Sequence, residues 1–276
     1  MRLPPRLLVI VAALAIHHDA AAQILAQVNP VTLSLTATPG KPLRRDIQIS
    51  NLGTQPIAVH TRLSDWRLSE DGELSLSPAG SSASSLDGVI HFEPSEFALA
   101  PGQSRWIHMT MTLPASGAPT RWGVLLSEVR AAGAANADNE AAAGSELGTT
   151  IFLSRIPADE ARATLGTLDL EPLGADSIRV SMRAHNHGLR HVGAAVRFVL
   201  HDSTGATMRT ESIGAGVILP GESRRFAWIC PMNLAMGTYR VVATFMDGGF
   251  VPLTSETRFH WPLVVPAAAV ASAPAH

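Results

Sequence analysis

Residues 101–111 read Pro101-Gly102-Gln103-Ser104-Arg105-Trp106-Ile107-His108-Met109-Thr110-Met111, and residues 220–230 read Pro220-Gly221-Glu222-Ser223-Arg224-Arg225-Phe226-Ala227-Trp228-Ile229-Cys230. Each is a Pro-Gly turn, then a Ser-Arg step, then a run whose side chains alternate with period two. That combination reads as a turn leading into a half-buried strand. Each lies downstream of an Asn-x-Gly turn, Asn51-Leu52-Gly53 in the first half and Asn186-His187-Gly188 in the second. A short grammar written twice predicts two related β modules.

Working outward, the same period recurs. Val31, Leu33 and Leu35 alternate with Thr32 and Ser34; Ile47 and Ile49 with Gln48 and Ser50; Ile57, Val59 and Thr61 bracket His60. Gly123 to Val129 is more continuously apolar. Pro39-Gly40, Asp71-Gly72 and Asp87-Gly88 punctuate these runs. The second half gives about seven strands, around Leu168, Val180, Phe198, Ile213, Trp228, Val241 and Phe259, closed by turns such as Asp202 to Gly205. No long helical period appears. The prediction is all-β, with two immunoglobulin-like β-sandwich domains in tandem.

The totals agree. At about 150 residues per domain, 276 residues make roughly two domains. An apolar fraction of 46% supports real cores, and only 16% of residues are charged. A formal net charge of −2 offers no basic field for nucleic acid. Lys41 is the only lysine, which argues against Schiff-base chemistry and a Walker-type loop. Cys230 is the only cysteine, so an intrachain disulfide and a thiolate metal cluster are excluded, and a buried strand-end thiol is expected.

Arg2 and Arg6 precede the apolar run Leu7 to Ile16, and Ala20, Ala21 and Ala22 follow. This is the pattern of a cleaved signal peptide over residues 1–22, too short for a permanent span. The expected division is then an N-terminal domain over 23–157, a C-terminal domain over 158–263 and a disordered tail over 264–276. Export to the periplasm, with no integral membrane segment after cleavage, follows from it. Residues 131–146 are low in complexity and read as a mobile loop, with a strand from Leu147 to Ile156 after it and a hinge at Pro157-Ala158-Asp159-Glu160.

The first module resembles the N-terminal domain of periplasmic pilus-assembly chaperones, the PapD-like family. The resemblance covers residues 28–156 and rests on Pro39-Gly40, Arg45 to Asn51, Asp65-Trp66, Ile90 to Pro94, Phe97 to Gly102 and Gly123 to Leu126. It implies a chaperone that lends a β-strand edge to a pilus or secreted subunit, with an outer-membrane usher as a second partner. The candidate donor strand carries Leu147, Thr149, Ile151 and Leu153 on one face. The resemblance also implies an arginine and a lysine that hold the client's terminal carboxylate. The matching positions are Leu35 and Pro157, so that basic pair is missing, and Arg155 is the nearest candidate for a carboxylate contact.

Other classes are weaker. His185, His187 and His191 form an H-x-H-x3-H cluster that suggests a zinc or copper site, set against a plain polar turn. No G-x-S-x-G and no H-E-x-x-H occurs, so no enzyme and no cofactor are expected. The alternatives to a chaperone are an Ig-like adhesion or scaffold protein of the envelope and a periplasmic metal carrier.

Overall fold

The computed structural model describes residues 24–132, 144–155, 163–174, 176–246 and 252–263. The predicted signal peptide, the Pro157 to Glu160 hinge and the tail over 264–276 lie outside these residues, as does most of the low-complexity stretch. The first module holds β1 (Ala26–Asn29), β2 (Thr32–Ala37), β3 (Leu43–Asn51), β4 (Ile57–Leu68), β5 (Leu74–Pro78), β6 (Ile90–Glu93), β7 (Glu96–Leu99), β8 (Ser104–Met111), β9 (Thr120–Ala131) and β10 (Ser145–Arg155). The second holds β11 (Ala163–Pro172), β12 (Ser177–Asn186), β13 (Val192–His201), β14 (Thr207–Ile218), β15 (Ser223–Pro231), β16 (Gly237–Met246) and β17 (Leu253–Trp261). The expected all-β class and the seven strands of the second half are found. The expected strand at Leu147 to Ile156 begins earlier, at Ser145, because pairing with β9 runs from Ser145↔Val129.

In the first module, a sheet ordered β1-β3-β8-β6 faces a sheet ordered β2-β10-β9-β4-β5, with β7 also paired to β4. In the second, β11-β12-β15 faces β14-β13-β16-β17. The period-two patterns fill the space between the sheets. Ile47, Ile49, Ile107, Met109, Met111, Leu125 and Ile151 form one core, and Val180, Met182, Val196, Phe198, Trp228, Cys230 and Val241 form the other.

The repeated grammar is one physical device used twice. Asn51 is buried; its Nδ2 donates to the Gln55 carbonyl (2.7 Å) and the Leu99 carbonyl (3.2 Å), and its Oδ1 accepts from the Gly53 amide (3.0 Å). Asn186 does the same with the Arg190 carbonyl (2.7 Å), the Ile218 carbonyl (3.0 Å) and the Gly188 amide (2.9 Å). The Pro-Gly turn closes each device from the other side. The Gly102 amide donates to the Asn51 carbonyl, and the Gly221 amide to the Asn186 carbonyl, both at 2.9 Å. Gly102 (φ 74°) and Gly221 (φ 75°) adopt left-handed backbone, which is why glycine follows each proline.

A third apolar cluster joins the modules. Trp66 and Leu68 of β4, Trp122, Val124 and Leu126 of β9 and Phe152 of β10 pack with Val217 and Leu219 of the second module. The outer face of the first module's larger sheet is therefore covered here. That explains the continuous apolar run in β9: Leu125 and Val129 face the core while Val124 and Leu126 face the junction.

Candidate partner-binding edge

β10 is central to its sheet for half its length and an edge for the other half. From Ser145 to Ser154 it pairs antiparallel with β9. From Thr150 to Arg155 it also pairs, in parallel, with Thr32 to Ala37 of β2. Over Ser145 to Thr149, no strand among the described residues pairs with its other side. The transition is built from side chains: Thr149 Oγ1 donates to the Pro30 carbonyl (2.9 Å), and the Thr150 and Thr32 hydroxyls bond each other (2.9 Å).

The candidate donor residues have distinct environments. Thr149, Ile151 and Leu153 are fully buried, each 0% exposed, with Ile151 and Leu153 in the first module's own core. Leu147 is half-buried and packs against the same core. The face carrying all four thus points inward. The opposite face carries Glu146, bonded to Arg62 (2.8 Å), then exposed Gly148, half-buried Thr150 and buried Phe152 at the junction. Leu35 lies opposite Leu153, buried in the core, so a basic group is not accommodated there. Pro157 falls outside the described residues. Arg155 is half-buried at the strand's end, where Nη1 donates to the Ala115 carbonyl (3.2 Å). Among the described residues, that carbonyl is the recorded hydrogen-bond partner of the Arg155 side chain.

The histidine cluster is split. His185 and His187 come together edge to face, ring centroids 4.2 Å apart, but each is engaged by a hydroxyl: His185 Nδ1 with Ser223 (2.9 Å) and His187 Nε2 with Thr164 (2.9 Å). His191 leaves them for the module junction, where it stacks on Phe152 at 3.7 Å. Among the described residues, no group of three His, Cys, Asp or Glu side chains is placed to hold a metal. The reason lies in the Asn186 device, which turns the chain between His187 and His191. Cys230 is buried, and burial pushes its thiol up to about 11, a poor nucleophile.

Several important residues carried no sequence signal of their own. The turn between β4 and β5 docks on the second module: Glu70 accepts from Arg183 Nε (2.8 Å) and Arg225 Nη2 (2.9 Å), and the Arg225 amide donates to the Glu70 carbonyl (2.7 Å). The two arginines hold the Glu70 carboxyl below the usual carboxylate range. Asp65 is buried and accepts from the Ser82 amide (3.0 Å) and the Ser85 hydroxyl, fixing the segment between β5 and β6. Phe152 could have been noticed as a large aromatic on an otherwise polar face.

No protein-family model and no curated protein matches the sequence. Among solved structures, the chain is similar to the class 5 fimbriae chaperone CfaA, at 13% identity over 84% of this chain and 98% of that one, TM-score 0.46. It is also similar to a chain of the CsuC–CsuE chaperone–tip adhesion subunit pre-assembly complex from archaic chaperone-usher Csu pili of Acinetobacter baumannii (13% identity, 75% and 91% covered, TM-score 0.41). The E. coli chaperone DraB is a third (15% identity, 87% and 97% covered, TM-score 0.40).

Proposed function

We propose that this protein is an exported, non-enzymatic chaperone that caps a pilus-like or secreted subunit by pairing main chain along Ser145 to Thr149 of β10. The unpaired side of that stretch carries the reading, since an exposed strand edge is a template for another chain's backbone. Affinity comes from backbone hydrogen bonds, with Leu147 the one large apolar group of the open stretch. Ile151 and Leu153 act behind it by holding the strand straight against its own core. Arg155, at the closed end, is the proposed carboxylate contact in place of the missing basic pair. An outer-membrane usher would be the partner that receives the loaded complex. The periplasm is the compartment this reading requires.

The test is site-specific photo-crosslinking in the native cell. A photoreactive residue replaces Glu146 at the open stretch or, as control, Glu211 on the exposed part of β14. The expected result is an adduct at 146 alone, with a small exported β-rich subunit. Purified by itself that subunit aggregates, and with this protein it stays soluble at one to one. Absence of a position-specific adduct, or a subunit equally soluble without this protein, sinks strand donation and favours the scaffold alternative.

A further inference from the structure

His191 stands between the modules with one ring nitrogen satisfied and one not. Its ring stacks on Phe152 of β10, centroids 3.7 Å apart and planes 18° from parallel. Nε2 is 3.2 Å from the Ser34 hydroxyl of β2. Nδ1 is buried and, among the described residues, has no hydrogen-bond partner. Phe152 also meets Trp66 edge to face at 5.7 Å, so the histidine rests on the apolar cluster that joins the modules. Beside it, the Thr120 hydroxyl of β9 donates to the Leu189 carbonyl, a second tie between modules.

We infer that His191 is an acid-sensitive latch: neutral, it seats the second module on β2 and β10, and its protonation releases that seat. A neutral imidazole needs one donor and one acceptor, and the Ser34 hydroxyl serves either role. An imidazolium needs two acceptors. The elements packed on the ring offer Ser34 from β2 and Phe152 from β10, neither of them ionisable, and the charged neighbour acting on it is Arg190, which repels a second positive charge. The π face of Phe152 attracts a cation weakly but gives Nδ1 no acceptor.

Burial first, and Arg190 second, lower the His191 pKa to about 4. Released into water, the imidazole returns to about 6.5. The sign follows. Between these values the released form binds more protons than the seated form. Seating is therefore at full strength above about pH 6.5 and weakens as pH falls, by up to about tenfold per unit, until the seated pKa is reached. The latch lies at the closed end of β10, away from Ser145 to Thr149, so it is independent of the strand-donation reading.

The experiment uses the full mature chain, spin-labelled at Arg44→Cys and Arg258→Cys, one exposed site on each module, and reads the distance distribution from pH 7.5 to 3.5. Circular dichroism at each pH monitors the sheets. The wild type should keep one narrow distance at pH 7.5 and broaden progressively below about pH 6, with sheet signal retained. His191→Phe keeps the stack and cannot be protonated, so its distribution should stay narrow into the acid range. His191→Gln, neutral but without the ring, should be broader than wild type at pH 7.5 and insensitive to pH. Equal acid broadening in wild type and both variants, or no broadening in wild type before the sheets are lost, overturns the latch.

Discussion

Asn51 and Asn186 hold the same place in their modules, and the segments after them diverge. In both, the carbonyl four residues on, from Gln55 or Arg190, accepts the asparagine amide. The next residue is exposed Pro56 in the first module and the junction-facing His191 in the second. The edges diverge too. β17 ends its sheet, paired with β16 from Leu253 to Trp261, and on its way its Ser255 hydroxyl reaches the Gly166 carbonyl of β11 (3.2 Å). β10 is closed by β2 only from Thr150 onward. A repeated local device thus supports two different surfaces: one module with a half-open edge, the other with a side chain that packs onto the first. Local turn chemistry sets where strands begin and end, and the residues around it are free to serve the interface.

The sharpest way to break this comparison is to reverse the assigned faces of β10. Ile151→Glu forces a carboxylate into the first core and should destabilise that module by about 4 kcal/mol or more, seen as its early loss in urea denaturation. Thr150→Glu, on the other face and half-buried, should cost far less. Equal effects would mean the strand does not face inward as described. The matched pair Asn51→Ala and Asn186→Ala comes next. Each removes bonds to two carbonyls and one amide and should cost about 2–4 kcal/mol. Similar losses sharpen the equivalence of the two devices, and a loss confined to one breaks it.

The smallest effect is expected at the hairpin that joins the modules. Glu70→Gln removes a partly exposed ion pair with Arg183 and Arg225, worth about 0.5–1 kcal/mol after solvent screening. Its carboxyl is held below the ordinary range when docked, so its contribution is present above the ordinary carboxylate pKa. That contribution disappears as pH falls through the lowered value. The difference between wild type and Glu70→Gln should therefore be seen at pH 7, shrink in salt and vanish in strong acid. A difference that persists in strong acid would place the clamp elsewhere, in packing or in the Arg225 backbone bond.

Much of the fold was legible because strand and turn signals are short-range. Alternation around Ile47, Ile107 and Val180 marked core faces, and Pro-Gly with Asn-x-Gly marked turns. The candidate site was legible only in outline. The strand at β10 was found, but alternation gives two faces without saying which is covered, and Leu147, Thr149, Ile151 and Leu153 proved to be the inward set. The histidines were close in sequence yet parted in space, because the Asn186 turn redirects the chain between them. Glu70 and Phe152 gained their roles only from the opposing module.

Residue order alone therefore pointed to two β-sandwich modules sharing Asn-x-Gly and Pro-Gly turns, since backbone preference and side-chain period act over a few residues. Tertiary structure decided the rest. The seal on β10 comes from β2, with Thr32 and Thr150 meeting across 118 residues of chain. The seat of His191 comes from Phe152 and from Ser34, 157 residues away. Contacts at such separations depend on how whole sheets pack, because burial and hydrogen-bond partners belong to the assembled surface and not to any local run of residues.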